Sequence, residues 1–355
     1  MSHIIDDSPM MRAVRLQHSD RIPVWLMRQA GRYMQEYREV RSKFTFTELC
    51  KTPSIAAEVM LTAVERLGVD AAIIFSDILL ILEPMGFGVV FPDEGGPLVT
   101  KPIRNPRDVD NVIELESENQ LQYVMDTVRY TREGLNNRMP LIGFAGAPFT
   151  LATYVIGDPK PNSNHRFANN RNFQHVKAFM HLYPSEWANL MSKLVTSTAK
   201  YLNGQIAAGA QIVQLFDSWA GCLSVEDYAE FVQPYSKLLI DQISVGVPVI
   251  HFAPGNPMLL PNIAATGGSA IGVDWRIAID KAWDLIGSNY AIQGNLDPAI
   301  LLTDRNTIRK NVQKIINLAK QKQNNGFIFN LGHGILPQTP TENAISLVEA
   351  VHEFE

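Results

Sequence analysis

Arg28 and Arg32 stand four residues apart in the stretch PVWLMRQAGRY, with Gln29, Ala30 and Gly31 between them. Two permanent cations around small residues, directly after the apolar run Pro23 to Met27, suit an anionic ligand, because guanidinium forks match carboxylates bidentately. Other chemically capable residues follow or end apolar runs along the chain. Asp77 follows AAIIFS, Tyr154 ends GAPFTLATY, Asp217 and Ser218 follow QIVQLF, and His251 lies in VIHF. Asp274 falls in GVDW, Asn295 and Asp297 in QGNLDP, and His333 between Gly332 and Gly334 in NLGHG. A lone carboxylate, Asp77, among cations and after an apolar run is suited to stabilise a transient positive charge in a low-dielectric site. The combination points to decarboxylation or proton transfer on a polycarboxylated substrate.

Each of these residues has a structural role open to it. Asp77 suits the cap of a turn or helix, and Arg28 and Arg32 could pair with Asp77, Glu36 or Glu39. Tyr154 alone reads as a half-buried aromatic. His251 reads as structural, and Asp274, Asn295 and Asp297 as partners of neighbouring turns. His333 is different, since flanking glycines let backbone approach a ligand closely. Joint placement at the ends of apolar runs favours a shared site for Arg28, Arg32, Asp77, Tyr154 and His333.

The elements that would carry them alternate. Eight short apolar runs, Pro23 to Met27, Asp70 to Ser76, Pro140 to Ala145, Gln211 to Phe216, Pro248 to Phe252, Ala270 to Val273, Tyr290 to Gln293 and Gly326 to Leu331, read as strands. Between them lie segments of helical period such as SIAAEVMLTAVERLG, SEWANLMSKLVTSTAKYLNGQIAAG, VEDYAEFVQPYSKLLIDQISVG and DRNTIRKNVQKIINLAKQKQ. Strand–helix alternation implies parallel pairing, and runs apolar on both faces fit strands covered on both sides. Eight units predict a single (β/α)8 TIM-type barrel with inserted loops, one domain over residues 1–355, whose reactive groups come from the C-terminal ends of the strands. GFGVVFPDEGGPLV predicts a hairpin insertion after the second unit, and GDPKPNSNHRFANNRNFQHVKAF a polar loop after the third.

Bulk properties narrow the classes. A formal net charge of -5 argues against nucleic acid and anionic membranes as partners. Cys50 and Cys222, the two cysteines, exclude a disulfide scaffold and favour a reducing, cytoplasmic setting. No apolar run is long enough to span a bilayer, and no signal-peptide pattern opens the chain. With no P-loop, no G-x-G-x-x-G after a strand and no cofactor-lysine motif, the substrate itself becomes the candidate electron sink.

The segments PVWLMRQAGR, DAAIIFSDIL, GFAGAPFTLATY, LFDSWAG, QGNLDP and NLGHG together resemble the uroporphyrinogen decarboxylase family, in family order and over nearly the whole chain. The resemblance implies a cofactor-free, metal-free homodimer that removes the four acetate carboxyls of uroporphyrinogen III, giving coproporphyrinogen III in haem biosynthesis. It also implies that Asp77 bonds the pyrrole N–H groups and stabilises the protonated ring, and that Arg28 meets the reacting carboxylate. Gln29, Ala30, Gly31, Arg32, Phe46, Tyr154, Ser218 and His333 then bind or orient the substrate, with Tyr154 and His333 near the chemistry. One departure is VIGDPKPNSNHRF after Tyr154, where the family usually continues with an acidic residue and a Gly-rich turn.

Two rivals are weaker. The zinc-dependent cobalamin or thiol methyltransferases, similar at fold level, need a His-x-Cys pair and a late cysteine, whereas this chain has His251-Phe252-Ala253 and no cysteine beyond Cys222. A non-catalytic tetrapyrrole carrier would share Arg28, Arg32 and His333 but have no need of Asp77.

Overall fold

The computed structural model describes residues 3–92, 96–157 and 173–354. Strand β1 (Ala72–Ile73) is followed by the short β2 (Val89–Val90) and β3 (Leu98–Val99), then by β4 (Leu141–Gly146), β5 (Ile212–Phe216) and β6 (Val249–Phe252). β7 (Ala270–Gly272), β8 (Ala291–Leu296) and β9 (Phe327–Leu331) complete the set. Seven of them form one wholly parallel sheet in the order β1-β4-β5-β6-β7-β8-β9. β4, β8 and β9 are buried along their whole length, as expected of strands lined by side chains inside and covered by helices outside.

The first predicted strand closes this sheet without forming a regular ladder. Pro23 brings no N–H, so pairing there is partial. The Phe329 amide donates to the Pro23 carbonyl at 2.9 Å, the Trp25 amide to the Phe329 carbonyl at 3.4 Å, and on the other side the Asp70 amide donates to the Val24 carbonyl at 2.8 Å. The segment therefore sits between β9 and β1 in the eighth position of a (β/α)8 barrel. Inside, Trp25 Nε1 donates to Gln293 Oε1 at 2.9 Å and Gln293 Nε2 to Gln214 Oε1 at 3.1 Å, a polar chain that satisfies groups no solvent reaches.

The predicted helices appear over Pro53–Leu67, Pro184–Ala208 and Arg305–Lys320. The segment beginning at Val225 is instead two helices, Val225–Phe231 and Gln233–Asp241, because Pro234 has no amide to continue the first ladder and stands in the opening turn of the second. β2 and β3 pair antiparallel, Val89 with Val99 and Val90 with Leu98, so the predicted hairpin forms. Most of the predicted polar loop after Tyr154 lies outside the described residues. Its beginning is held: the Ile103 amide donates to the Val155 carbonyl at 2.7 Å, and the Gly157 amide donates to the Ile103 carbonyl at 3.0 Å.

Candidate functional site

At the C-terminal ends of the strands opens a cavity of about 420 Å³. Arg28, Gln29, Ala30, Gly31, Arg32, Phe46, Asp77, Tyr154, Ser218 and His333 all border it, so every substrate-binding residue expected from the sequence meets in one place. Those residues span the chain from Arg28 to His333 and converge because the segments that carry them come from several β/α units.

Asp77 caps the turn that follows β1, one of the roles open to it, and still faces the cavity. Its Oδ1 accepts the Leu79 amide at 2.9 Å, fixing the turn after β1, which leaves Oδ2 free of that bond. Burial pushes the carboxyl up from 3.8 to about 6, against the opposing pull of the Leu79 amide and the Arg28 charge. The carboxylate is thus charged at neutral pH in surroundings that disfavour the charge.

Arg28 and Arg32 make no ion pair with Asp77, Glu36 or Glu39. Glu36 faces Arg66 at 3.7 Å, and Glu39 accepts from Gln35 at 2.8 Å. Both cations are exposed at the cavity and available to an anion. Arg28 holds φ at +62°, a left-handed conformation that costs a non-glycine residue on the order of 1 kcal/mol or more. Gly334 explains how its side chain is accommodated: a Cβ there would lie 2.5 Å from Arg28 Cδ. Gly332 is likewise pressed against the Trp275 backbone nitrogen, 2.7 Å from where its Cβ would stand. The glycines around His333 therefore make room for Arg28 and Trp275, and Gly334 also borders the cavity. The amides of Ala30, Gly31 and Arg32 donate to no protein acceptor among the described residues, and add a backbone surface for carboxylate oxygens. Gln29 borders the cavity while fully buried, with Nε2 3.2 Å from Met60 Sδ.

His333 is half-buried. Its Nδ1 accepts the Gly334 amide at 2.8 Å, so in the neutral ring Nε2 is the donor. Burial, then the charges of Arg28 and Arg276, push it down to about 4, opposed by Asp274. It is a neutral hydrogen-bond donor above that pH. Tyr154 ends the helix Pro148–Val155 with its ring 6.2 Å from that of Trp219, and burial raises its phenol above the usual range.

Several expected non-site residues stand where their chemistry suggested. Asp274 accepts from the Gly255 amide at 2.8 Å and the Arg276 amide at 3.0 Å, Asn295 donates to the carbonyls of Asp274 and Ile277, and Asp297 accepts the Ala299 amide at 2.9 Å. None borders the cavity. Phe144, Phe216 and Phe252 do, a group the sequence reading passed over. Phe216 meets Phe144 edge-on at 5.4 Å and Phe252 at 6.2 Å, and Phe252 meets His333 at 6.5 Å. Phe46 adds a second aromatic wall, 6.0 Å from Phe75 and 5.0 Å from Phe91. Their signal was present, since Phe216 and Phe252 end strands as the reactive residues do, but only polar strand ends had been read as chemistry. An apolar, aromatic-walled cavity with cations at one side and one carboxylate suits a large, flat, polycarboxylated molecule.

Among the described residues, no helix is long and apolar enough to cross a membrane, and no group of three or more His, Cys, Asp or Glu side chains is placed to hold a metal ion.

Comparison with known proteins agrees in kind. Residues 6–354 match the model of the family described as uroporphyrinogen decarboxylase (URO-D). A uroporphyrinogen decarboxylase from Carboxydothermus hydrogenoformans is 48% identical, the match covering 97% of this chain and 95% of that protein. One from Sorangium cellulosum is 46% identical over the same shares. Among solved structures, a methyltransferase from Methanosarcina mazei superposes with a TM-score of 0.80 at 21% identity, covering 98% of this chain and 99% of that one. A B12-independent methionine synthase from Shewanella sp. W3-18-1 reaches 0.60 at 11% identity, covering 95% of each chain. At such identities these two establish the barrel fold alone.

Proposed function

Because the chain belongs to the uroporphyrinogen decarboxylase family, we propose that Asp77 and the cations facing it carry out decarboxylation of uroporphyrinogen at this cavity, acetate by acetate, to leave methyl groups. The enzyme is a carboxy-lyase of tetrapyrrole synthesis. The observation that carries the assignment of roles is the meeting of one largely buried carboxylate with two arginines that have no ion pair among the described residues, in an aromatic-walled cavity.

In the reaction a proton adds to the pyrrole carbon bearing the acetate and the ring becomes cationic. The bond to the carboxylate carbon breaks, its electron pair neutralises the ring, and carbon dioxide leaves. A second proton then completes the methyl group while the ring loses the first, so each acetate consumes one proton overall. Asp77 accepts the pyrrole N–H groups on its free oxygen and supplies the counter-charge when the ring is protonated. Arg28 meets the reacting carboxylate; as a guanidinium it positions and polarises far better than it gives up a proton. Arg32, the amides of Ala30 to Arg32, neutral His333, Tyr154 and Ser218 hold the remaining carboxylates and orient the ring, and Phe46 packs beside it. The pyrrole is its own electron sink, so no cofactor or metal enters the scheme.

We read residues 1–355 as one catalytic domain, a reading supported by the family model's span over 6–354, and the enzyme as a cytoplasmic homodimer, as the family resemblance implies. Light scattering on the purified protein tests the dimer. Anaerobic incubation with uroporphyrinogen, with carbon dioxide release and product carboxyl number followed together, tests the function. Tight binding without carbon dioxide release would leave a carrier.

A further inference from the structure

Behind Ser218 and Trp219, outside the cavity, the side chains of Asp217 and His251 are sealed from solvent, both with 0% exposure. Asp217 Oδ1 accepts from Thr150 Oγ1 at 2.8 Å, and Thr150 Oγ1 accepts the Trp219 amide at 3.3 Å. Thr150 lies one turn before Tyr154 on the helix Pro148–Val155. The Asp217 amide donates to the Phe252 carbonyl at 2.8 Å. One residue thus joins the helix bearing Tyr154, the loop bearing Ser218 and Trp219, and the end of β6.

The other carboxylate oxygen, Oδ2, faces His251 Nε2 at 3.9 Å, and neither atom has a hydrogen-bond partner among the described residues. His251 Nδ1 lies 3.1 Å from Thr266 Oγ1, whose single proton goes to the Ile263 carbonyl at 2.7 Å, so Nδ1 must be the donor of that pair. With Nδ1 protonated and no further proton, Nε2 and Oδ2 would oppose each other as two acceptors, and a carboxylate charge would be buried with no counter-ion. Among the described residues no Lys or Arg pairs with Asp217; besides Thr150 and His251, the groups facing it are the Tyr228 phenol, next to Ser236, and the Cys222 thiol, which Lys177 also faces. A buried lone charge is too costly to keep, whereas one added proton on the pair makes the unit neutral overall.

We infer that Asp217 and His251 share one added proton as a charge-compensated pair across 3.9 Å, and form a neutral pin that positions Ser218 and Trp219 against Tyr154. The role in positioning rests on the reading of Tyr154 and Ser218 as substrate-holding residues; the shared proton does not.

The test is a cycle of Asp217→Asn, His251→Leu and the double variant, each assayed for melting temperature and for steady-state kcat and KM with uroporphyrinogen. In Asp217→Asn the amide oxygen still accepts from Thr150 and the amide nitrogen faces His251 Nε2 as a neutral donor, so the melting temperature should be little changed and KM should stay within about threefold of wild type. His251→Leu strands the carboxylate and should lower the melting temperature by about 5 °C or more. Its KM should rise about 10-fold or more while kcat changes less. The double variant should regain most of that loss, a rescue that mere packing damage would not give. Asp217→Asn as damaging as His251→Leu, or a double variant no better than His251→Leu, overturns the shared proton. If His251→Leu fails to fold, the Asp217→Asn arm and recovery of folding in the double variant decide alone. Intact rescue in melting with no wild-type turnover of uroporphyrinogen would overturn the functional reading and leave the pin standing.

Discussion

Replacing Asp77 by Asn separates its two jobs. The Asn side-chain oxygen can still accept the Leu79 amide now held at 2.9 Å, so the turn after β1 survives, while the other oxygen becomes an uncharged NH₂ facing the cavity. Raising the carboxyl from 3.8 to about 6 means that holding it ionised costs the protein on the order of 3 kcal/mol relative to water. A protonated pyrrole arriving at the free oxygen recovers that energy, and the neutral ring recovers little of it, so the difference falls on the chemical step. Loss of one preorganised electrostatic group typically lowers kcat about 10²- to 10³-fold, or roughly 3 to 4 kcal/mol, which matches the energy the site holds in reserve. Asp77→Asn should therefore lose at least about 10²-fold in kcat, with KM and product affinity changed far less. The assay is single-turnover and steady-state decarboxylation beside equilibrium binding, with a melting curve as a check on folding. A well-folded Asp77→Asn enzyme with near-normal kcat would reduce Asp77 to the turn cap it also is, and the proposed chemistry would lose its counter-charge.

The remaining expectations concern pH, stability and the outer carboxylates. The kcat/KM of wild type should fall as pH drops below about 6, where Asp77 takes up a proton, and this limb should be absent from the residual activity of Asp77→Asn; a profile that rises below pH 6 would mean that the protonated acid is the working form. Because the folded protein holds the Asp77 proton more tightly than the unfolded chain, ionisation costs stability as pH rises from 3.8 through 6, so Asp77→Asn should melt higher than wild type at pH 7. His333 has the opposite sign: its folded value of about 4 lies below 6.5, stability is lost as pH falls through that window, and His333→Gln should flatten that loss in melting curves. Arg32→Ala and His333→Ala should chiefly raise KM, since outer carboxylates stay charged in ground and transition states alike; lost turnover at unchanged KM would move either residue into the chemical step. Exhaustive dialysis against a chelator should leave activity intact, and restoration by added zinc after a loss would refute the metal-free scheme.

The barrel was legible because its strands are buried on both faces, which writes short apolar runs such as AAIIF and FIFNL into the chain, each followed by a chemically distinct residue. The closing segment was harder to place in detail, since Pro23 pairs through its carbonyl alone and leaves a bridge where a full strand was expected. The site cations and Asp77 stood out as charges at the ends of apolar runs. Phe144, Phe216 and Phe252 did not, because an aromatic that lines a cavity and one that fills a core look alike in a sequence. The cap made by Asp77 does not exclude the proposed counter-charge, because one carboxylate oxygen accepts the Leu79 amide and the other is free of that bond. The reason for Gly334 was hidden for another cause: the atom it avoids belongs to Arg28, far away along the chain.

That same meeting of distant residues has a consequence for how the enzyme comes into being. The seam holding Arg28 in place joins the first strand position to β9, through Pro23, Trp25 and Phe329, with the Met27 amide on Asn330 Oδ1 at 3.1 Å and the Ile335 amide on the Met27 carbonyl at 3.0 Å. At about 5–20 residues per second, synthesis of the chain takes roughly 20 to 70 s, and Arg28 waits through nearly all of it for its seam partners. A nascent chain can already contain Asp77, Tyr154 and Ser218, and pair Val24 with Asp70, while the β9 side of the seam and His333 are still missing. The cavity is therefore completed in one late event, when β9 closes on the first strand position, and a chain released before β9 should have no activity to offer.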